Sequence, residues 1–217
     1  MKEHRVSITV SGRYLVDLPG GAGPFPLLAG FHSYGQTAED GMVLLRSIPG
    51  SEGWIRCAVE ALHPFMNAKG EPGSSWMTRR DRDLRIAENV AYVDAVIAEV
   101  RAAYPASNKS VLHGFSQGAG MACRAAVLGC HRVSAVMLVG GEVPPELEWL
   151  DPMRKVHLAR GDRDRLYVQE RFECDRDRLS GSGLPVRALL FRGGHVPNEA
   201  YHAEAGRFLE SVKSGSL

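Results

Sequence analysis

Ser116 lies in Gly114-Phe115-Ser116-Gln117-Gly118, a G-x-S-x-G pattern, and is followed along the chain by Asp162, Asp164 and His195. A serine hydroxyl becomes a good nucleophile only when a neighbouring base takes its proton, and a neutral imidazole is such a base near pH 7. A carboxylate beside the imidazole fixes its tautomer and stabilises the cation it becomes. A serine, an acid and a histidine in that order therefore point to acyl transfer, provided the fold brings them together. Either aspartate could serve as the acid. Asp162 directly follows Gly161, where a carboxylate turns the chain by bonding backbone N–H groups. Asp164 sits further out, where it could reach the loop of His195.

The elements that must position these residues can be read from the pattern. Val111-Leu112-His113 is an apolar run with a β-branched residue, and Ala119 to Leu128 reads as a helix. Strand, tight turn and helix is the context that turns G-x-S-x-G into a nucleophile elbow, whose glycines leave room for the sharp turn. Upstream, Arg5–Val10 and Arg13–Leu18 read as an N-terminal antiparallel hairpin around Ser11-Gly12. Phe25–Phe31 is an apolar strand, a helix runs from about Ala38 to Ser47, and Trp54–Val59 is the next strand. Leu62–Arg82, rich in Gly, Pro, Ser and Asn, is expected to be a long irregular segment. Asp83–Ala103 has helical spacing in Ile86, Val90, Val93, Ile97 and Val100, and Tyr104-Pro105 ends it. Strands follow at Ser134–Val139, Lys155–Arg160 and Val186–Phe191, with a helix at Val168–Leu179. A final helix carries Tyr201, Ala205, Phe208 and Val212 on one face, and Ser214–Leu217 is expected to fray. Alternating strands and helices predict an α/β fold with a mostly parallel sheet covered on both faces, in a single domain over residues 1–217. Ser116, the Asp162/Asp164 pair and His195 all fall just past strand ends, as does His32-Ser33-Tyr34-Gly35. Reactive groups gather there in open α/β sheets.

Composition narrows the function further. The 217 residues are 44% hydrophobic and 24% charged, as expected of a globular domain. A net charge of +1 gives no strong attraction to nucleic acid or an acidic membrane. No stretch approaches the roughly 18 continuous apolar residues of a membrane span. The Met1–Arg5 start lacks the apolar core of a signal peptide, so a cytoplasmic location is expected. Cys57, Cys123, Cys130 and Cys174 form no C-x-x-C and suggest neither a disulfide framework nor a zinc site. Three of them read as small buried hydrophobes. The sequence does not indicate an oligomeric state.

The chain resembles the phospholipase/carboxylesterase group of α/β-hydrolases, which includes acyl-protein thioesterases and small bacterial esterases. The resemblance rests on Gly114–Gly118, Val139-Gly140-Gly141-Glu142-Val143-Pro144, Gly161-Asp162-Arg163-Asp164, Gly193-Gly194-His195 and an Asn/Gly loop from Asn67 to Trp76. It extends over residues 25–210. Two positions depart from the group's pattern: its His-Gly is His32-Ser33 here, and its Trp-Phe-Asp is Trp76-Met77-Thr78. The resemblance implies the α/β-hydrolase fold and hydrolysis of small or medium acyl esters or thioesters, without metal or cofactor. Ser116 would be the nucleophile, His195 the base and Asp164 the acid. Backbone N–H groups of Tyr34 and Gln117 would form the oxyanion hole, and Trp76 and Met77 would line the acyl pocket. Trp76 and Met77 also have a simpler reading, as a cap on the core beneath a loop. Peptidase, thioesterase and acyltransferase activities share the same chemistry, and a non-catalytic binding protein could share the fold.

Other polar residues have structural readings. His113, inside the elbow strand, is expected to be a hydrogen-bonded core histidine, and His32 a loop-shaping residue. The runs Arg79–Asp83 and Asp175–Arg178 read as solvated helix faces whose ion pairs contribute little.

Overall fold

The computed structural model describes residues 1–67 and 70–215. Its strands are β1 (Tyr14–Asp17), β2 (Phe25–Phe31), β3 (Ile55–Val59), β4 (His63–Met66), β5 (Pro72–Ser75), β6 (Ala106–Phe115), β7 (Ala135–Val139), β8 (Val156–Gly161) and β9 (Val186–Phe191). The helices are α1 (Ala38–Arg46), α2 (Arg82–Ala103), α3 (Gln117–Leu128), α4 (Gln169–Gly181) and α5 (Glu199–Ser214). Seven strands form one sheet in the order β1-β3-β2-β6-β7-β8-β9, and β4 pairs with β5 in a separate ribbon. Within the seven, only the β1–β3 pairing is antiparallel.

The central strands β2, β7 and β8 and the second half of β6 are buried on both faces, which explains why they are largely apolar runs without polar alternation. The edge strands β1 and β9 are partly exposed. Leu27, Ala29 and Phe31 of β2 join residues of α2, α3 and α4 in one core layer. Leu28 joins Met42 and Leu45 of α1 and Phe208 and Leu209 of α5 in the other. Among the described residues no helix is long and apolar enough to cross a membrane.

Four local expectations change. The antiparallel N-terminal pair exists, but Tyr14–Asp17 pairs with β3, and residues 5–10 form no strand. Val6, Ile8 and Val10 alternate correctly yet stay exposed, and an outer strand with no apolar surface to cover gains little from pairing. The segment 62–82 is not irregular throughout, because His63–Met66 and Pro72–Ser75 pair with His63 opposite Ser75, although 76–81 has no regular structure. Its prolines disguised it, although an isolated two-stranded ribbon tolerates them. Ala68 and Lys69 in that segment, and Ser216 and Leu217 in the expected frayed end, lie outside the described residues. Cys57 and Cys123 are buried, but Cys130 and Cys174 are exposed. Finally, Asp175 and Arg178 do not belong to a solvated face. Asp175 is buried and accepts hydrogen bonds from the Val143 N–H (3.0 Å) and the Tyr167 hydroxyl (2.7 Å). Arg178 donates to the carbonyls of Val143, Pro144 and Leu147.

The α5 side of the sheet holds two buried histidines. His113 on β6 shares a 2.7 Å hydrogen bond between Nε2 and the Tyr201 hydroxyl, as its core reading requires. His157 on β8 packs against Tyr201 and Phe208, and neither of its ring nitrogens has a partner among the described residues. Burial, reinforced for His157 by Arg187, lowers both imidazoles from 6.5 to about 3. Unfolding exposes them to water, where they take up protons near pH 6.5. The unfolded state therefore binds more protons between pH 6.5 and 3. Their stabilising contribution is complete above pH 6.5 and is lost as the pH falls toward 3. Thermal melts at pH 7.5 and 4.5 should show this loss. His157→Leu should narrow the difference by several degrees while holding or raising the melting temperature at pH 7.5, since it removes an unpartnered buried polar ring.

Candidate active site

Ser116 joins the end of β6 to the start of α3 at φ 54° and ψ −118°. Positive φ is costly for a residue with a Cβ, and the surroundings hold it there. The Ser116 N–H donates to the Val139 carbonyl at 2.9 Å, tying the turn to β7. A Cβ on Gly114 would run into the Gly118 carbonyl, and one on Gly118 into the Phe31 carbonyl at the end of β2. Only the first is a clash across the turn itself. Gly118 instead lets α3 sit directly against β2.

The parallel order β6-β7-β8-β9 carries the other two loops to the same edge. His195 Nε2 lies 2.9 Å from Ser116 Oγ, and His195 Nδ1 lies 2.9 Å from Asp164 Oδ2. The Asp164 side chain is fully buried and His195 keeps 20% of its side-chain surface exposed. Asp164 Oδ1 accepts the N–H groups of Leu166 (2.8 Å) and Tyr167 (3.0 Å), leaving Oδ2 for the imidazole. Asp162 faces elsewhere: its carboxylate accepts the Gly193 N–H at 2.8 Å and anchors the histidine loop. Of the two aspartates, Asp164 contacts His195.

Tyr34 follows β2 in a tight loop, and Gln117 begins α3. Neither backbone N–H has a protein acceptor among the described residues. The Tyr34 ring is exposed and stacks on Phe65 of β4 at 5.1 Å. His32 shapes this loop from below. Its Nδ1–H donates to the Ser33 carbonyl (2.7 Å), and its Nε2 accepts the Ala61 N–H (3.1 Å). Trp76 has no exposed surface. Its ring packs edge-on against Phe31 and its indole N–H donates to the His32 carbonyl at 2.9 Å. As placed, Trp76 caps the core beneath the loop and presents nothing to a ligand. Met77 is half-buried against the same core.

Several residues that hold the site were not singled out from sequence. Arg160 is buried at the end of β8 and donates to the Tyr167 (2.9 Å) and Asp164 (3.0 Å) carbonyls, fixing the acid loop. An arginine directly after the apolar Leu158-Ala159, still within the strand, was its signal. The Gln117 side chain bonds the Trp76 N–H at 2.8 Å. Asp94, Cys130 and His131 bring ligand-type atoms within 4.8 Å of one another at the far end of α3. These groups are already engaged: Asp94 accepts the Cys130 N–H at 2.9 Å, and His131 contacts the Asp94 carbonyl and Arg101. A cation there would have to compete with the Arg101 guanidinium. A concavity of about 680 Å³ at that end, lined by His131, Arg132 and Arg154 among others, includes none of Ser116, Asp164 and His195.

No protein-family model matches the chain, and no curated protein sequence does. Solved structures do match. The Bacillus cereus carboxylesterase superposes with TM-score 0.75 at 15% identity, over 93% of this chain and 94% of that one. Esterase PE8 gives TM-score 0.72 at 24% identity over 94% and 100%. Zea mays acyl-protein thioesterase 2 gives 0.71 at 17% over 93% and 99%. These are likenesses of architecture, and with the strand order above they define this as an α/β-hydrolase fold.

Gly118→Ala should destabilise the protein by about 3 kcal/mol, the upper end of the usual range for overpacking, because the obstruction is backbone that cannot swing aside. Chemical denaturation measures it. A loss under about 1 kcal/mol would show that the α3–β2 contact is looser than described.

Proposed function

We propose that this protein is a serine hydrolase of carboxylic esters or thioesters, akin to the phospholipase/carboxylesterase group. The observation that carries the reading is the continuous path from Ser116 Oγ through both His195 nitrogens to Asp164 Oδ2, each step at 2.9 Å. The Ser116 hydroxyl adds to the acyl carbon while His195 Nε2 takes its proton. Asp164 holds the Nδ1–H and stabilises the imidazolium. The carbonyl oxygen becomes an oxyanion held by the N–H groups of Gln117 and Tyr34. In such sites, losing one donor raises the barrier by about 3 kcal/mol. Collapse of the adduct expels the alcohol or thiol, which takes the proton from His195, and leaves an acyl-enzyme. Water repeats the sequence to release the acid.

Small or medium acyl groups fit the resemblance best. Met77, half-buried beside the Gln117 contacts, is the acyl-pocket candidate, and Trp76 supports it from beneath. The likeness to a carboxylesterase, an esterase and an acyl-protein thioesterase agrees with this chemistry.

Ser116→Ala should abolish hydrolysis of nitrophenyl esters and labelling by a fluorophosphonate without lowering the melting temperature. Appreciable turnover in the folded variant would rule out this mechanism, and failure of the parent to label would favour a binding protein. Asp164→Asn should lower turnover by on the order of 10⁴, because an amide favours the wrong imidazole tautomer. Asp162→Asn should mainly loosen the His195 loop. Steady-state kinetics and melting curves separate the two, and the reverse pattern would make Asp162 the functional acid.

A further inference from the structure

Tyr34 and Gln117 stand on separate elements, a loop after β2 and the first turn of α3. Two N–H groups can share one oxyanion only if their spacing is fixed to within fractions of an ångström. β5 and the residues after it bond to both. Ser74 exchanges backbone hydrogen bonds with the Tyr34 loop: the Gly35 N–H donates to its carbonyl (2.9 Å), and its N–H donates to the Gln36 carbonyl (3.0 Å). Its hydroxyl also contacts His32 Nε2 at 3.1 Å. The next two residues hold Gln117. Its Oε1 accepts the Trp76 N–H at 2.8 Å, which fixes the amide orientation, and its Nε2 donates to the Ser75 hydroxyl at 3.1 Å. Ser75 Oγ in turn donates to the Met77 carbonyl at 2.7 Å. Ser74 and Ser75 are buried, so water does not readily replace these bonds.

We infer that the Ser74-Ser75-Trp76 segment is a brace that sets the spacing of the two oxyanion donors, with the Gln117 side chain as its positioning residue. The inference rests on the hydrolase reading above. It gives Gln117 two separable roles: its backbone N–H touches the reacting oxygen, and its side chain acts only through the brace.

Gln117→Met keeps length and volume but leaves the Trp76 N–H without its acceptor. A trifluoromethyl ketone reports the oxyanion hole directly. Ser116 Oγ adds to its carbonyl carbon, the hydroxyl proton passes to His195, and the carbonyl oxygen becomes a hemiketal anion. In Gln117→Met, kcat/KM for a nitrophenyl ester and affinity for the ketone should fall in parallel by about 10- to 100-fold, the range for misplacement near 1 Å. KM should move less than kcat, because the Gln117 side chain acts on the oxyanion donors rather than on the bound acyl group. Ser75→Ala, a milder change, should move both quantities the same way by about threefold or more, and it covers the case in which Gln117→Met does not fold. Unchanged ketone affinity in a folded variant would overturn the brace, even if KM or melting temperature moved. A parent protein that neither hydrolyses esters nor forms the hemiketal would overturn the hydrolase reading, and the inference with it.

Discussion

The positive φ of Ser116 is the constraint on which the rest of the site depends. Such a conformation costs on the order of 1–3 kcal/mol and survives only where packing leaves no alternative. Here β6 must end beside β7, so that the Val139 carbonyl can take the Ser116 N–H. α3 must begin against the end of β2, which the bare Cα of Gly118 allows. β2, β6 and β7 are consecutive neighbours in the sheet, so both requirements follow from strand order. The strain is held by the buried centre of the sheet.

The acid and base inherit their places from the same order. β8 and β9 are adjacent and parallel, and their C-terminal loops interlock: the Asp162 N–H donates to the Phe191 carbonyl, the Arg163 N–H to the Gly193 carbonyl, and the Gly193 N–H to the Asp162 carboxylate. Asp162 thus serves the histidine loop and Asp164 the histidine. Arg160 supports the arrangement from inside, trading water for two carbonyls of the acid loop. A buried guanidinium so held is weak evidence for net stability, but it leaves the loop few alternative conformations.

The parts legible in the sequence were those with strong local signals. Apolar runs gave the buried strands, and the spacing of Ile86, Val90, Val93, Ile97 and Val100 gave α2 to within a residue. Gly114–Gly118 and the order of Ser116, Asp164 and His195 gave the constellation that the fold brings together. What stayed hidden depends on tertiary partners. Residues 5–10 carry a strand pattern but pair with no strand among the described residues, whereas Pro72–Ser75 lacks a strand pattern and pairs with β4. Asp175 and Arg178 belong to a charge run that looks solvated, and only the fold reveals that the Val143–Leu147 loop lies over them. Local pattern cannot report a contact made 32 residues away.

The departure at Ser33 shows how the oxyanion loop tolerates a side chain where the resembling group has glycine. Glycine is required only where φ is positive or where another backbone sits in the space of a Cβ. Ser33 is not among the positive-φ residues, and the turn places that conformation at Gly35 instead. The Ser33 backbone is also fully used: its N–H donates to Gln36 Oε1 at 2.9 Å and its carbonyl accepts His32 Nδ1–H at 2.7 Å. With both groups committed, the peptide units flanking Ser33 resist rotation, and the adjoining Tyr34 N–H has no acceptor among the described residues. Burial lowers the His32 pKa and keeps its Nε2 an acceptor for the Ala61 N–H, so the ring remains the neutral hub this turn needs. The loop therefore takes its shape from hydrogen bonds rather than from glycine, and this is consistent with a side chain at position 33.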